Sequence, residues 1–257
     1  MHLRWFGRFI WLLVLAFAFA VQGVPAQAPP VVRRDPDAIA LLRLSLIKMG
    51  GLAAAHRETV ATGAMLNENT GQSSSLVLKT SGTDSIRNEV GSDFVFIRNA
   101  SGGGHSHYDG KDHKVALHSL LYHRAEHLPG LLLLSDVESP NLQVQMIGAE
   151  TVNGVATSHI RLSVVPQDGS DPHLHDLMSE THVWIDAQGM VVKARIFMFS
   201  PEAIENRSPV DLYYSDYRLV DRFMVPFHIV REFLGQREDI TFTSIDLNAA
   251  LSPADFQ

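Results

Sequence analysis

Hydrophobic and polar residues alternate with a period of two along most of the chain. Segments such as "SSLVLKT", "DFVFIRN" and "MVVKARIFMF" are short and rich in β-branched or aromatic residues, and Gly, Ser, Asn and Asp separate them. This pattern is typical of strands that bury one face. Asn153-Gly154 is a strong turn pair between two such segments and predicts a hairpin. We therefore predict roughly nine to eleven strands, consecutive along the chain and connected as hairpins.

One early segment has helical periodicity instead. Asp35 can cap a helix there, Pro36 suits the first turn, and the pair at 50–51, Gly-Gly, ends it. The apolar residues that recur at helical spacing are Ile39, Leu42, Leu46 and Met49. A second candidate helix covers residues 115–128. Strands with segregated helices predict an α+β fold with an antiparallel sheet, and we expect a single domain over residues 27–257.

The strand faces predict an apolar cavity. Lys193 and Arg195 share one face of their strand, and apolar residues share the other. A long sheet with one apolar face twists and curls, and two helices are too few to fill a wide concavity. The candidate residues for the cavity face are Val183, Ile185, Val192, Ile196, Met198, Phe227, Ile229, Ile240 and Phe242.

The first residues have the pattern of a signal peptide. Arg4 and Arg8 precede a 13-residue apolar run at 9–21, and small residues follow it. We predict cleavage after Ala26, because a cut after Ala28 would place Pro29 immediately beyond it. A retained membrane anchor is the alternative, although the run is shorter than the ~20 residues that a span requires. The protein is therefore predicted to be exported to the periplasm.

Charge and cysteine content exclude several classes of function. Without the two leader arginines, 19 basic residues face 28 acidic ones, a balance of −9. Such a surface does not attract nucleic acid or an anionic membrane. We expect the mature chain not to be embedded in a membrane, because no second apolar run approaches spanning length. The chain has no cysteine, which excludes disulfides, cysteine nucleophiles and a lipid-modified cysteine.

A metal-binding pattern lies in the second candidate helix. His123, Glu126 and His127 fit H-x-x-E-H, which can hold a zinc ion and a general base on one helix face. In a helix over residues 115–128, however, these three residues fall outside the apolar arc, towards the flank and the solvent. Pro129 also ends the helix at once. The position of the pattern therefore argues against a buried catalytic site.

The rest of the sequence supports the zinc interpretation weakly. A zinc hydrolase needs a third protein ligand, and neither Glu180 nor Glu202 lies in a recognisable ligand helix. Local crowding raises the frequency of accidental matches, because six histidines fall within 23 residues, at positions 105, 107, 113, 118, 123 and 127. These histidines, or His173 and His175, could also bind metal adventitiously or as a metal buffer. We predict mainly exposed histidines, no metal site, no cofactor and no catalytic residue.

The C-terminal third carries a resemblance to a known family. "THVWIDAQGMVVKARIFM", "VDLYYSDYRLVDRFMVPFHIV" and "ITFTSIDLNAALSPADF" resemble motifs of the periplasmic lipoprotein-carrier superfamily, the LolA/LolB-like proteins. The early "ALLRLSLIKMGG" and "TVATGAM" resemble the opening helix and first strand of that group. Recognisable motifs cover residues 181–256, and the order of elements covers most of the mature chain. The six-histidine stretch departs from the family pattern.

The resemblance implies a strongly curved antiparallel sheet, a half-barrel, with covering helices on its concave side. It implies that "LLYHRAEHLPGLLLL" is a covering helix and loop, with Leu131 and Leu132 facing the cavity or the core. It also implies a non-catalytic periplasmic carrier for lipid or lipoprotein acyl chains, for which an envelope protein could be a partner.

Two other functions stay open. An envelope interaction or sensory module could keep the same fold without transfer activity. A zinc metallohydrolase using His123, Glu126 and His127 is the third hypothesis.

Overall fold

The computed structural model describes residues 31–50, 57–115, 126–131, 133–166, 170–200 and 203–257. The described residues from Val32 onward belong to one compact unit. The leader with its cleavage after Ala26, most of the second candidate helix, and the residues His123 and Leu132 lie outside the described ranges. No helix in the described ranges is long and apolar enough to cross a membrane.

The unit is built on one antiparallel sheet of 13 strands in the order β6-β5-β4-β3-β2-β1-β13-β12-β11-β10-β9-β8-β7. Strands β6 and β7 form its two edges, so the sheet is open. The strands are β1 (Glu58–Asn67), β2 (Gln72–Ser81), β3 (Ser85–Val90), β4 (Phe94–Arg98), β5 (Gly104–Tyr108), β6 (Lys111–Lys114), β7 (Leu142–Val152), β8 (Val155–Val164), β9 (Thr181–Asp186), β10 (Val191–Ser200), β11 (Ala203–Val220), β12 (Phe223–Phe233) and β13 (Gln236–Asp246).

The strand count exceeds the prediction because the stretch "SGGGHSHYDGKDHK", whose glycines and histidines are typical of a loop, contains the β5–β6 hairpin. Asp109 and Gly110 join the two strands with φ of 54° and 69°. Two successive positive φ values are the requirement of a type I′ turn, whose twist matches that of the flanking strands. The many histidines hide the strand pattern, since His105 and His107 do not have the composition of a typical strand.

The first helix, α1 (Pro36–Met49), forms as its caps predict. The Asp35 side chain accepts hydrogen bonds from the backbone N–H groups of Asp37 and Ala38, each at 3.0 Å. At the other end, Gly50 has a φ of 116° and donates its N–H to the Leu46 carbonyl. Leu42 and Leu46 are buried in the same hydrophobic cluster as the inner face of the sheet. Helix α1 therefore helps to cover the concave side.

A second covering element follows the first six strands. We call the described residues 126–131 and 133–137 the covering segment. It contains two turns of 3-10 helix, Pro129–Leu131 and Leu133–Asp136. Leu128, Leu131, Leu134 and Val137 belong to the main hydrophobic cluster. The apolar side chains of the covering segment thus pack into the core.

A second α-helix, α2 (Pro172–Ser179), was not predicted. Asp171 caps it by accepting the N–H of His173 at 2.9 Å, and Pro172 begins it. The helix is held to β8 by polar contacts: Arg161 Nη2 donates to Asp176 at 2.7 Å. Its histidines and its short length conceal the helical period. A third turn of 3-10 helix, Pro253–Phe256, ends the chain beside β3.

Polar side chains on the outer face of β8 and β9 form a continuous chain. His159 Nδ1 lies 2.7 Å from a Glu150 oxygen, and His159 Nε2 lies 2.7 Å from His182 Nδ1. His182 Nε2 in turn lies 2.7 Å from a Glu180 oxygen. Burial opposes the charge on Glu180, but hydrogen bonds from His182 and Arg161 outweigh it and lower the pKa of Glu180 to about 2.

Strands β1 and β13 pair in the middle of the sheet, and we call this pairing, which is irregular at Gly63, the seam. Register shifts by one residue between Thr62, opposite Ser244, and Gly63, opposite Phe242. A β-bulge of this kind bends the strand and increases its twist. A Cβ atom on Gly63 would lie 2.2 Å from the Thr241 carbonyl oxygen. The close approach of the two backbones therefore requires glycine.

Segregated helices on one antiparallel, open and curved sheet confirm the predicted α+β half-barrel. The edge strand β7 is also protected. Arg34 forms a parallel bridge with Val144, and Asp35 donates its N–H to the Val144 carbonyl at 3.0 Å. An edge that is already paired offers fewer free backbone groups to another chain.

Candidate functional site

A cavity of about 650 Å³ opens on the concave face of the sheet. Strands β1 to β6 form one side of it, and β10, β12 and β13 form the other. Glu126 and His127 of the covering segment complete the lining. A volume in the range of roughly 300–1,000 Å³ is that of pockets for small organic ligands.

The wall from β1 to β3 is apolar. Because residues alternate between the two faces of a strand, Leu76 and Leu78 of β2 point inward together, and so do Ile86 and Val90 of β3. Met65 of β1 extends the same surface. Apart from Asn88, which lies between Ile86 and Val90, this wall presents apolar side chains that can cover an alkyl chain.

The cavity includes apolar residues that are partly exposed to solvent. Phe94, Tyr108 and Met198 line it, and their exposed fractions are 36%, 41% and 36%. Exposed large apolar side chains that cluster around a concavity mark a ligand or interaction site more often than isolated ones do. An apolar ligand can therefore reach the cavity at this rim.

A row of five residues, one on each strand from β2 to β6, runs across the strands on the cavity side of the sheet. Each member pairs with the next in the sheet register, in the order Leu78, Asn88, Phe96, Ser106 and His113. All five line the cavity. We call it the transverse row. Three of its members, Asn88, Ser106 and His113, are polar, whereas most of the surrounding cavity lining is apolar.

Charged side chains gather on the other side of the cavity. Arg231 Nη1 donates to Glu238 Oε2 at 2.8 Å, and Arg231 Nε lies 3.3 Å from Glu126 Oε1. Burial opposes the positive charge, but the two carboxylates outweigh it and raise the pKa of Arg231. We call Glu126, Arg231 and Glu238 the charged cluster. It gives the cavity one strongly polar side.

The covering segment is tied to the sheet beside this cluster. The Tyr214 hydroxyl donates to the Glu126 carbonyl at 2.7 Å, and burial raises the pKa of Tyr214 well above its usual value. The His127 ring lies edge-on to the Phe242 ring, with centroids 6.3 Å apart. His127 is only 4% exposed, and burial lowers its pKa.

These positions bear on the zinc pattern. Residues 126–128 form a turn before the 3-10 helix, and not the end of an α-helix, so the predicted solvent-facing position of His127 is wrong. Glu126 is an ion-pair partner of Arg231. His123 lies outside the described residues. Within the described ranges, no group of three His, Asp or Glu side chains is arranged to hold a metal ion.

Acid is expected to destabilise the protein as the pH falls below 6.5. Burial lowers the pKa of His127 and of His159 from an ordinary value of 6.5, so the unfolded chain binds these protons first. The contribution of these two neutral histidines to the free energy of unfolding is therefore fully present above pH 6.5. It decreases towards lower pH, by up to about 1.4 kcal/mol per pH unit for each proton. Urea unfolding from about pH 7.5 to about pH 5, a range that brackets histidine titration, measures how the free energy of unfolding changes with pH.

The variant His127→Phe should reduce this slope, because the phenyl ring keeps the contact with Phe242 and cannot be protonated. His173→Phe is the matched control, since His173 is exposed on α2. Equal slopes for the wild type and His127→Phe would show that His127 does not contribute to the pH dependence.

The residues predicted from the sequence to face the cavity occupy several positions. Met198 and Ile240 line the 650 Å³ cavity, and Leu131 lines a smaller pocket of about 40 Å³ beside Met49. Ile196 is partly buried against the core. Val192 is half-buried, because a register shift between Val191 and Lys193 places Val191 in the core instead. The buried ones are Val183, Ile185, Phe227, Ile229 and Phe242.

Neither the cavity lining on β2 to β6 nor the charged cluster was predicted from the sequence. The signal for the wall was present, since Ile86, Asn88 and Val90 alternate on one face of "DSIRNEV". The charged cluster had no local signal, because Arg231 and Glu126 are distant in the sequence and meet only through the fold.

Several solved structures share this architecture, and three of them illustrate the likeness. A domain described as an outer membrane lipoprotein-sorting protein, from Vibrio parahaemolyticus, has a TM-score of 0.55 at 10% identity, covering 86% of this chain and 96% of that one. A LolA superfamily protein from Nitrosomonas europaea has a TM-score of 0.54 at 9% identity, covering 89% and 98%. A DUF1329 family protein from Desulfovibrio piger has a TM-score of 0.52 at 14% identity, covering 87% and 98%.

Sequence comparisons add no closer relative, as no protein-family model and no curated protein matches this chain. The structural likenesses show that the chain has the LolA-like fold, as the resemblance in its C-terminal third implied. At these identities they show the fold alone.

Proposed function

We propose that this protein is a periplasmic carrier that binds lipid or lipoprotein acyl chains in the 650 Å³ cavity and catalyses no reaction. The observation that carries the proposal is a large cavity with an apolar wall and partly exposed apolar residues. Burial of an acyl chain stabilises the complex by about 0.8 kcal/mol per methylene group. Such a cavity can therefore bind a chain tightly with few specific contacts.

The fold supports the same proposal. The lipoprotein-sorting domain from Vibrio parahaemolyticus and the LolA superfamily protein share the architecture over most of their length. Function does not follow from fold alone, so the proposal depends mainly on the cavity and its apolar lining. Export through a leader cleaved after Ala26 would place the carrier in the periplasm.

The metallohydrolase hypothesis receives less support. A general base needs a free carboxylate, but Glu126 is paired with Arg231. His127 lies beside Phe242 among apolar side chains. The interaction-module hypothesis differs from the carrier in requiring no ligand in the cavity, and the experiment below separates the two.

Filling the cavity is expected to abolish most of the binding. Val90 lies half-buried in the cavity wall, so Val90→Trp places an indole where an alkyl chain would lie. The affinity for a fluorescent long-chain fatty acid should fall at least about tenfold, equivalent to about 1.4 kcal/mol. Fluorescence titration of the purified mature protein measures it, together with native mass spectrometry for lipid that co-purifies.

Val155→Trp is the matched control, because Val155 is exposed beside the β7–β8 turn, outside the cavity lining. It should bind the probe as the wild type does. If Val90→Trp binds as tightly as Val155→Trp while both remain folded, the ligand does not occupy this cavity. If the wild type binds no probe and co-purifies with no lipid, the interaction module becomes the better hypothesis.

A further inference from the structure

The polar chain on the outer face of the sheet contains two imidazole rings between two carboxylates. Its members are, in order of contact, Glu150, His159, His182 and Glu180, and we call them the histidine chain. The three contacts between successive members are each 2.7 Å long. None of these four residues lines the cavity, so the histidine chain is separate from the proposed ligand site.

The three contacts require a particular number of hydrogens. A contact of 2.7 Å between two polar atoms is a hydrogen bond, with one hydrogen between them. Two neutral imidazole rings carry only two N–H groups, because each ring has one donor and one acceptor nitrogen. With two hydrogens, two lone pairs face each other at one contact. With four, two N–H groups meet between the rings. Three hydrogens satisfy every contact.

Glu180 does not supply the third hydrogen. Besides its contact with His182, it accepts from Arg161 Nη2 at 3.1 Å and from Arg207 Nη1 at 3.0 Å. Burial opposes the charge of this carboxylate, but the hydrogen bonds from His182 and Arg161 outweigh burial and lower its pKa to about 2. Glu180 is therefore ionised at neutral pH.

Glu150, at the other end, does not supply it either. The Trp184 indole N–H donates to a Glu150 oxygen at 2.7 Å. This hydrogen bond, followed by the one from His159, lowers the pKa of Glu150. Because both carboxylates are ionised, the third hydrogen belongs to one of the rings, which then carries a positive charge.

The surroundings of the two rings distinguish them. Burial outweighs the hydrogen bond with Glu150 and lowers the pKa of His159, which favours a neutral ring there. The His159 ring is also stacked on the Trp184 ring, with centroids 4.1 Å apart and planes 17° apart. His182 lies between a nitrogen of His159 and the ionised Glu180, so both of its nitrogens have an acceptor. His182 is therefore the ring that can hold the extra proton.

The other charged groups around the histidine chain neutralise one another. The side chains of His159 and His182 are only 10% and 16% exposed, so these neighbours matter more than water does. Four cations are held by three carboxylates in the following ion pairs: Arg161 with Asp176 and Glu180, Arg207 with Glu180, and Lys193 and Arg195 with Asp211. Because these cations are paired, they do not exclude a positive charge from the histidine chain.

We propose that the histidine chain is a proton-binding site that holds one positive charge at neutral pH, with His182 as the imidazolium and His159 neutral. His182 then donates to His159 and to Glu180, and His159 donates to Glu150. Glu180 is the C-cap residue of α2, and Glu150 lies on the edge strand β7. The charge thus links α2 to the edge of the sheet, and release of the proton weakens this link.

Nuclear magnetic resonance of the full mature protein, with isotope-labelled histidine ring nitrogens, tests the assignment. An ordinary histidine is only about a tenth protonated at about pH 7.5. At this pH the wild type should show His182 with two N–H groups and His159 as a neutral ring protonated on Nδ1. The variants His159→Gln and His182→Gln identify the signals of the two rings. Two neutral rings in the wild type would overturn the proposal.

Two substitutions remove the need for the third hydrogen from opposite ends. In Glu180→Gln, the new amide N–H group donates to His182, so both rings should be neutral and protonated on Nδ1. In Glu150→Gln, the amide donates to His159, so both rings should be neutral and protonated on Nε2. In each variant the amide oxygen keeps the other hydrogen bonds of the replaced carboxylate. If one variant does not fold, the other still decides, and an imidazolium that persists in a folded variant contradicts the proposal.

Asp176→Asn is the matched control. Asp176 shares the Arg161 guanidinium with Glu180 but is not a member of the histidine chain. His182 should remain an imidazolium in this variant. A neutral His182 here would show that the sum of nearby negative charges, and not the pattern of hydrogen bonds, sets its protonation, and the proposal would fail.

The effect of pH on stability has its own measurement. The folded chain holds the extra proton more firmly than the unfolded chain does, so the contribution of the site is present near neutral pH and is lost as the pH rises. The wild type should melt at a higher temperature than Glu180→Gln, and the difference should shrink from about pH 7 to about pH 9. A difference that stays constant would show that proton release does not weaken the link.

Discussion

Gly63→Ala is expected to lower the free energy of unfolding by about 3 kcal/mol, at the upper end of the cost of overpacking. The added methyl group would lie 2.2 Å from the Thr241 carbonyl oxygen and 2.8 Å from the Phe242 Cα atom. Both are backbone atoms of the paired strand, so no side chain can move aside. Relief of the clash requires the two strands of the seam to separate where their register shifts.

Thermal unfolding measures the effect, and a loss of this size should lower the melting temperature by roughly 6–12 °C for a domain of about 200 residues. Gly235→Ala is the matched control, since Gly235 has a φ of 76° and its Cβ would meet nothing within 4 Å. Only the cost of a left-handed alanine applies there, about 1 kcal/mol. Equal losses in the two variants would contradict the steric account of Gly63.

Arg231→Met is expected to cost about 3 kcal/mol, because it leaves two carboxylates in the cavity wall without their common partner. The side chains of Glu126 and Glu238 are only 14% and 15% exposed, and that of Arg231 is 19% exposed. Water therefore compensates the lost ion pairs poorly. Chemical denaturation at neutral pH measures the loss, which should become smaller in acid as the carboxylates are protonated.

Two comparisons test this explanation. Arg218→Met removes an arginine whose ion pair with Asp216 is exposed, and it should cost less than about 1 kcal/mol. The double variant of Arg231→Met with Glu238→Leu should recover part of the loss, because a buried charge is removed with its partner. A loss in Arg231→Met no greater than that in Arg218→Met would show that the charged cluster is well hydrated.

Local sequence patterns predicted much of the architecture. Alternating strands and hairpin turns predicted the antiparallel sheet, and Asp35, Pro36 and Gly50 predicted the bounds of α1. These features depend on neighbouring residues, which a sequence displays directly. The β5–β6 hairpin and α2 were missed because histidine occupies positions where strands and helices usually carry apolar residues.

The candidate site was predictable only in part. Met198 and Ile240 were expected on the cavity face and do line the cavity, but Val183 and Ile185 are buried in the core. Alternation indicates which face of a strand is apolar, and the fold decides which part of that face remains uncovered. The covering segment and α1 cover part of the apolar face and leave the rest open. Where they pack cannot be deduced from the periodicity of hydrophobic residues alone.

The seam also bears on how the chain acquires its structure. All other strand pairs join strands that follow one another along the chain, whereas the seam joins residues near Val60 to residues near Asp246. Non-local pairing must overcome the entropy of closing a long loop before it gains any contacts. We therefore expect β1–β6 and β7–β13 to form as two locally connected meanders first. Their joining at the seam would then be the slow step of folding.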